Sequence, residues 1–175
     1  MRKPRRIVEN GRYHVIAKVN RAEFILQNDN IKQMLLNVIT EAKAKYSFSV
    51  ENFCIMDNHI HLMIRPHIGT SLSRVMQWIL SVFAQRFNRI YGYKGHVWYD
   101  RFKSKVIADL RQFIATFSYI AFNPVKAGLV NAPLEYGFSG VRHLYEECYS
   151  VVDPPHGFLG LLFLQYKDTR LTSLT

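Results

Sequence analysis

The sequence predicts an α+β fold: an antiparallel sheet in the split βαβ (ferredoxin-like) arrangement, with helices mainly on one face and a C-terminal extension. Three observations predict it. Segments with period-two alternation and segments with helical period follow one another in the order β-α-β-β-α-β, with a further helix behind them. The two strands after the first helix are separated by Asp57-Asn58 alone, which makes them a hairpin. The chain has 175 residues, 49% of them hydrophobic, enough for one well-buried core, and no internal repeat is visible.

The first strand covers Tyr13 to Asn20, where Tyr13, Val15, Ala17 and Val19 alternate with His14, Ile16 and Lys18. Between Asn28 and Tyr46, Ile31, Met34, Leu35, Val38, Ile39 and Ala42 recur at helical spacing, with Asn28 or Asp29 as the cap. Phe48 to Met56 and His59 to Arg65 read as the hairpin strands. Past Pro66 and Gly69, Ser71 caps a long helix that lines up Leu72, Val75, Met76, Ile79, Leu80, Phe83 and Phe87 and stops at Gly92 or Gly95. Residues 96–107 form a loop leading into a strand. Asp109 caps a helix through Phe122, which Pro124 ends or kinks by pushing Asn123 away from helical dihedrals. From Asn131 onward, apolar patches around Tyr136 to Tyr145 and Phe158 to Phe163, split by Asp153-Pro154-Pro155, read as a peripheral extension. The sheet face opposite the helices is expected to be free for a site.

Charge narrows the partner. Lys and Arg number 23 against 13 Asp and Glu, a net charge of +10, which favours a polyanion: nucleic acid or an anionic membrane. No apolar run is long enough to span a bilayer, and Met1-Arg2-Lys3-Pro4-Arg5-Arg6 lacks the hydrophobic core of a secretory signal, so a soluble intracellular protein acting on nucleic acid is expected. Cys54 and Cys148 form neither a CxxC pair nor a disulfide framework, and both are read as reduced and structural.

Chemistry concentrates in two places. In His59-Ile60-His61 the strand period turns Ile60, Leu62 and Ile64 to the core and both imidazoles, with Met63, to the opposite face. Such a face reads either as solvated surface or as a pair of metal ligands. Tyr119 and Asn123, four apart on a helix, point the same way. Each has a plain reading as well, the tyrosine as core edge and Asn123-Pro124 as a helix terminator. Taken together, metal ligands and a phenol suggest covalent phosphoryl chemistry. Residues 96–105 mix Trp98, Tyr99 and Phe102 with Arg101, Lys103 and Lys105, as grooves for single-stranded nucleic acid do. Trp98 and Phe102 read equally as core anchors; Arg101 and Lys103 are the better phosphate contacts. Arg2, Lys3, Arg5 and Arg6 form either a solvated tail or an arm that reaches a hairpin stem.

Four stretches resemble the HUH single-tyrosine transposases of the IS200 type, and especially the REP-associated tyrosine transposases. They are Tyr13-His14-Val15; Asp57-Asn58-His59-Ile60-His61-Leu62; Val97-Trp98-Tyr99-Asp100-Arg101-Phe102-Lys103-Ser104; and Tyr119-Ile120-Ala121-Phe122-Asn123-Pro124-Val125-Lys126-Ala127-Gly128-Leu129-Val130. Order and spacing over residues 12 to 130 make the set more specific than any one motif.

The resemblance implies a metal-dependent endonuclease and strand transferase acting on single-stranded or hairpin DNA, in transposition or at repeat hairpins. It implies that His59 and His61 bind a divalent metal, that Asn123 is a polar third ligand, and that Tyr119 is the nucleophile. The metal would be Mg²⁺ or Mn²⁺, and imidazole suits Mn²⁺ better. Attack by Tyr119 would leave a 5′-phosphotyrosine and a free 3′-hydroxyl. A free tyrosine has a pKa of about 10, so the metal or a nearby cation, with Lys103, Lys105 and Lys126 as candidates, must activate it. Lys105 and Lys126 join Arg101, Lys103 and the arm as expected DNA contacts. Asp57 departs from the family pattern, where proline is common, and its carboxylate could add to or compete for metal contact. Residues 1–130 then form the catalytic domain, with 1–11 as a basic arm and 131–175 packed on the same domain. A monomer is favoured over a homodimer, and the expected location is cytoplasmic, with the nucleoid. The reading from another class is a non-catalytic module that binds single-stranded nucleic acid on the same sheet.

Overall fold

A computed structural model describes residues 8–20 and 23–154, so the basic side chains Arg2, Lys3, Arg5 and Arg6 and the apolar patch at 158–163 lie outside the described residues. The elements are β1 (Arg12–Lys18), α1 (Asp29–Lys45), β2 (Phe48–Ile55), β3 (His59–Pro66), α2 (Leu72–Tyr91), β4 (Lys103–Ile107), α3 (Leu110–Ala121), α4 (Asn123–Lys126) and α5 (Gly140–Tyr145), with a 3₁₀ turn at Pro133–Glu135. The strands form one antiparallel sheet in the order β2-β3-β1-β4. This is the split βαβ arrangement that the element order predicts.

Local chemistry sets the boundaries. Asn28 accepts from the Asn30 amide at the start of α1, Ser71 from Arg74 at the start of α2, and Asp109 from Gln112 at the start of α3. Gly92 closes α2 in a left-handed conformation (φ 62°), which glycine adopts without a Cβ penalty. Pairing Tyr13 with Ile64, Val15 with Leu62 and Ala17 with Ile60 gathers these side chains on one sheet face, and all are buried. The long amphipathic helices α1 and α2 pack against each other and fill that side of the core.

The opposite face is not left free. Helix α3 crosses it, packing on β2 and β3 through Phe113, Phe117, Ile120 and Ala121, and Met63 beneath is fully buried. A bulge between Val50 and Asn52 helps to set this helix. Buried Asn52 donates from Nδ2 to the Phe117 carbonyl at 3.0 Å, while its Oδ1 accepts from the Phe53 amide. Proline acts one residue earlier than its dihedral rule predicts. Phe122 (φ −86°, ψ 1°) breaks the helix and Asn123 opens α4 with Pro124 in the first turn, where a missing amide costs nothing.

The segment after Asn131 closes the outer edge of β2. Ile55 donates its amide to Phe138, and Tyr136 Oη donates to the Ile55 carbonyl. Further along, Asp153 accepts from the Val50 amide and pairs with Lys43. At the hairpin turn, Asp57 pairs with Lys32 at 2.9 Å; Lys32 is buried and lies over the Tyr136 and Phe138 rings. One ammonium thus ties α1, the turn and the C-terminal segment together.

Two predictions follow from these closures. A Cβ on Gly140 would stand 2.7 Å from the Phe53 amide nitrogen, so Gly140→Ala should cost about 1–3 kcal/mol in urea denaturation; an unchanged midpoint would mean that α5 does not close on β2. Asp57→Ala strands the buried Lys32 charge and should cost about 3 kcal/mol, with Lys32→Met added to it recovering at least half. Equal stability of the Asp57→Ala variant and the parent would show that the pair bears no weight.

Candidate active site

Strand β3 leaves the turn with His59 and His61 on the α3 side of the sheet, and β1 adds a third imidazole, His14, to the same side. His61 is 2% exposed. Its Nδ1 shares a hydrogen bond with His14 Nε2 at 2.9 Å, and the two rings stack with centroids 5.1 Å apart. His61 Nε2 has no partner. His59 turns its Nδ1 to Asn58 Oδ1 at 2.7 Å, and the Asn123 side chain lies by its ring. The Asn58 oxygen can only accept, so in the neutral ring the proton sits on Nδ1 and Nε2 carries the lone pair.

Tyr119 projects from α3 onto this group. It is 43% exposed, with its ring edge-on to His61 at 5.5 Å and to His14 at 5.8 Å. The break at Phe122 brings α4 back beside it, so that Lys126 Nζ lies 5.3 Å from the Tyr119 ring centroid. The predicted pairs His59–His61 and Tyr119–Asn123 therefore meet in one place.

Burial is the main cause that lowers the pKa of all three histidines. For His61 the neighbouring His59, His14 and Lys18 add repulsion, and its value falls to about 3. Lys105 adds to the effect of burial on His14, and Lys18 on His59, where the Asn123 contact and Asp57 act in the opposite direction. At neutral pH the imidazoles are uncharged electron-pair donors amid fixed cations. Among the described residues no group of three or more His, Cys, Asp or Glu could hold a metal ion. His14 spends its Nε2 on His61, so the donor set facing the phenol is two imidazoles and the Asn123 amide. The orphaned His61 Nε2 fits a divalent cation that tolerates nitrogen.

Other predicted residues divide. Lys103 and Lys105 are exposed on β4, opposite Ile16 and His14, and so share the face of the histidines. Arg101 is exposed on the preceding loop, beside a groove of about 510 Å³ between that loop and α2. Trp98 and Phe102 are core anchors, not stacking platforms: Trp98 donates to the Leu80 carbonyl and packs on Phe83, and Phe102 is buried. Tyr99, 71% exposed, is the aromatic of that loop left open to solvent. Asp57 pairs with Lys32. Cys54 is buried, and burial raises its thiol pKa, which suits an inert core residue. Sequence reasoning missed His14 and Asn58. Strand alternation alone shows His14 on the polar face of β1, but its meeting with His61 needs the pairing of β1 with β3.

Known proteins match this region. Residues 7–123 fit the family model described as IS200-like transposase. A Haemophilus influenzae protein proposed to be a REP-associated tyrosine transposase is 24% identical over 132 residues, 66% of this chain and 75% of that one. The structure of a REP-associated tyrosine transposase bound to a REP hairpin aligns with a TM-score of 0.70 and 23% identity, covering 89% of this chain and 92% of that one; it shares the fold. A proposed transposase from Deinococcus radiodurans aligns with a TM-score of 0.49 and 15% identity over 66% of this chain and 96% of that one.

The buried imidazoles give stability a pH signature. The folded pKa of His61 lies below its unfolded value of about 6.5, so the unfolded chain takes up the proton first as pH falls. Stability is full above about pH 6.5 and is lost towards pH 3, at up to about 1.4 kcal/mol per pH unit for each such histidine. Urea denaturation with EDTA between pH 7 and 5 should show this slope, and His61→Asn should reduce it. An undiminished slope in that variant would assign the effect to other groups.

Proposed function

This chain belongs to the IS200-like transposase family, and on that premise we propose that it cuts and rejoins single-stranded DNA through a phosphotyrosine on Tyr119. The observation that carries the reading is the half-exposed phenol set edge-on against a buried imidazole whose Nε2 has no partner.

In this reading Tyr119 Oη attacks the scissile phosphorus, the bond to the upstream 3′-oxygen breaks, and the phenolic proton is lost as the departing oxygen gains one. The product is a 5′-phosphotyrosine and a free 3′-hydroxyl, and attack by another 3′-hydroxyl reverses the step without nucleotide hydrolysis. His59, His61 and Asn123 would hold Mg²⁺ or Mn²⁺, which when bound supplies Lewis-acid polarisation of a phosphate oxygen. His14 and His61 wall the phenol and restrict its approach. Lys126, over the ring, attracts the incoming phosphate, while Lys103, Lys105 and Arg101 neutralise flanking phosphates.

The substrate we propose is hairpin DNA with a single-stranded flank. The relative bound to a REP hairpin supports it through a shared fold, as does the net charge of +10. Residues 1–130 act as the catalytic unit, 1–11 as a basic arm, and the extension from 131 as a brace on β2, in a monomer. Among the described residues no helix is long and apolar enough to cross a membrane.

The test is a denaturing gel of the protein with labelled hairpin DNA from repeats flanking its own gene, with Mn²⁺ or EDTA. A metal-dependent protein–DNA adduct is expected, absent in Tyr119→Phe and reduced at least a hundredfold in His59→Ala and His61→Ala, with binding retained. Salt-sensitive hairpin binding without an adduct under either metal would make this a non-catalytic binding module. A cut without an adduct would remove Tyr119 from its role.

A further inference from the structure

We infer that His14 is a positioning residue that fixes the tautomer of His61, so that the free lone pair of His61 lies on Nε2. The inference rests on the proposed metal reading of His59 and His61 and adds to it a residue from a different strand.

Two neutral imidazoles joined from Nε2 to Nδ1 at 2.9 Å have one proton between them. If His14 donates, His61 carries its own proton on Nε2, and that atom is buried with no acceptor. If His61 donates from Nδ1, its Nε2 is a bare lone pair, the form that ligates a cation, and His14 keeps its proton on Nδ1. The first arrangement buries an unpaired N–H donor and blocks ligation; the second leaves only a weak acceptor unpaired. His59 solves the same problem with Asn58, whose Oδ1 holds the Nδ1 proton. The two ligands thus have matched supports, one from the turn and one from β1. Ligating histidines are commonly oriented in this way by the group bonded to their other nitrogen.

Placement supports the assignment. His14 is not an exposed polar filler on β1: it stacks on His61, touches the Tyr119 ring edge and lies opposite Lys105. Its position follows from strand register, so the supporting group cannot drift from the ligand it holds.

The test compares His14→Phe, which keeps the stacked ring but has no nitrogen, with His14→Gln, whose amide oxygen reaches the old Nε2 position and can accept from His61. Long-range ¹H–¹⁵N spectra in EDTA should show His61 protonated on Nδ1 in the parent and in His14→Gln, and shifted towards Nε2 in His14→Phe. Mn²⁺ titration followed by electron paramagnetic resonance should show affinity about 10–100-fold weaker in His14→Phe and within about threefold of the parent in His14→Gln. Should His14→Phe fail to fold, His14→Asn, whose amide is too short to reach His61, replaces it. Parent-like Mn²⁺ affinity and tautomer in the nitrogen-free variant would overturn the inference. The parent and His61→Ala are the reference arms. If they bind Mn²⁺ equally, the metal reading itself fails and the inference falls with it; if they differ, only the His14 variants decide.

Discussion

The register between β1 and β3 is the constraint on which the site depends. Val15 opposite Leu62 and Ala17 opposite Ile60 put an unbroken apolar layer under α1 and α2, and the same pairing leaves His14, His59 and His61 on the reverse side. Side chains in a strand alternate strictly, so a slip of one residue would bury the histidines under the long helices and expose the core. Burial of the apolar face, at roughly 25 cal/mol per Å² of apolar surface, therefore fixes which face carries the histidines.

A second layer converts that face into a site. Helix α3 is amphipathic, and its apolar side could ride at several positions on β2 and β3. The Asn52 amide on the Phe117 carbonyl, in a bulge where the extra residue turns a polar group inward, selects one of them. Tyr119 lies two residues further on and exposed. The break at Phe122 then matters as much as the helix, because it lets Asn123 meet His59 and Lys126 lie over the phenol. Neutral imidazoles surrounded by Lys18, Lys105 and Lys126 form a surface that attracts an anion while keeping lone pairs free.

The sheet edges are managed differently. The C-terminal segment covers β2 through Phe138 and Asp153 and anchors the hairpin turn through Lys32, so a region remote from the phenol steadies the turn that carries Asn58 and His59. Strand β4 carries exposed Lys103 and Lys105, charges that discourage edge-to-edge pairing and also suit a polyanion.

How much of this was legible from the sequence depends on the range of the interactions. Periodicity, caps and turn residues are local, so the order of strands and helices, the Asn28, Ser71 and Asp109 caps and the shared face of His59 and His61 could be read directly. That Asn123 reaches His59 across the break at Phe122 could not, since the four-residue spacing from Tyr119 assumed one continuous helix. That α3 roofs the second face, that Trp98 and Phe102 anchor the core, and that Asp57 turns to Lys32 depend on what lies across a gap in the chain. The meeting of His14 with His61, 47 residues apart, is of this second kind. Which residues share a face is fixed locally, since backbone geometry repeats every two or 3.6 residues; which faces meet is settled across the chain, by strand pairing and helix packing that bury the whole core.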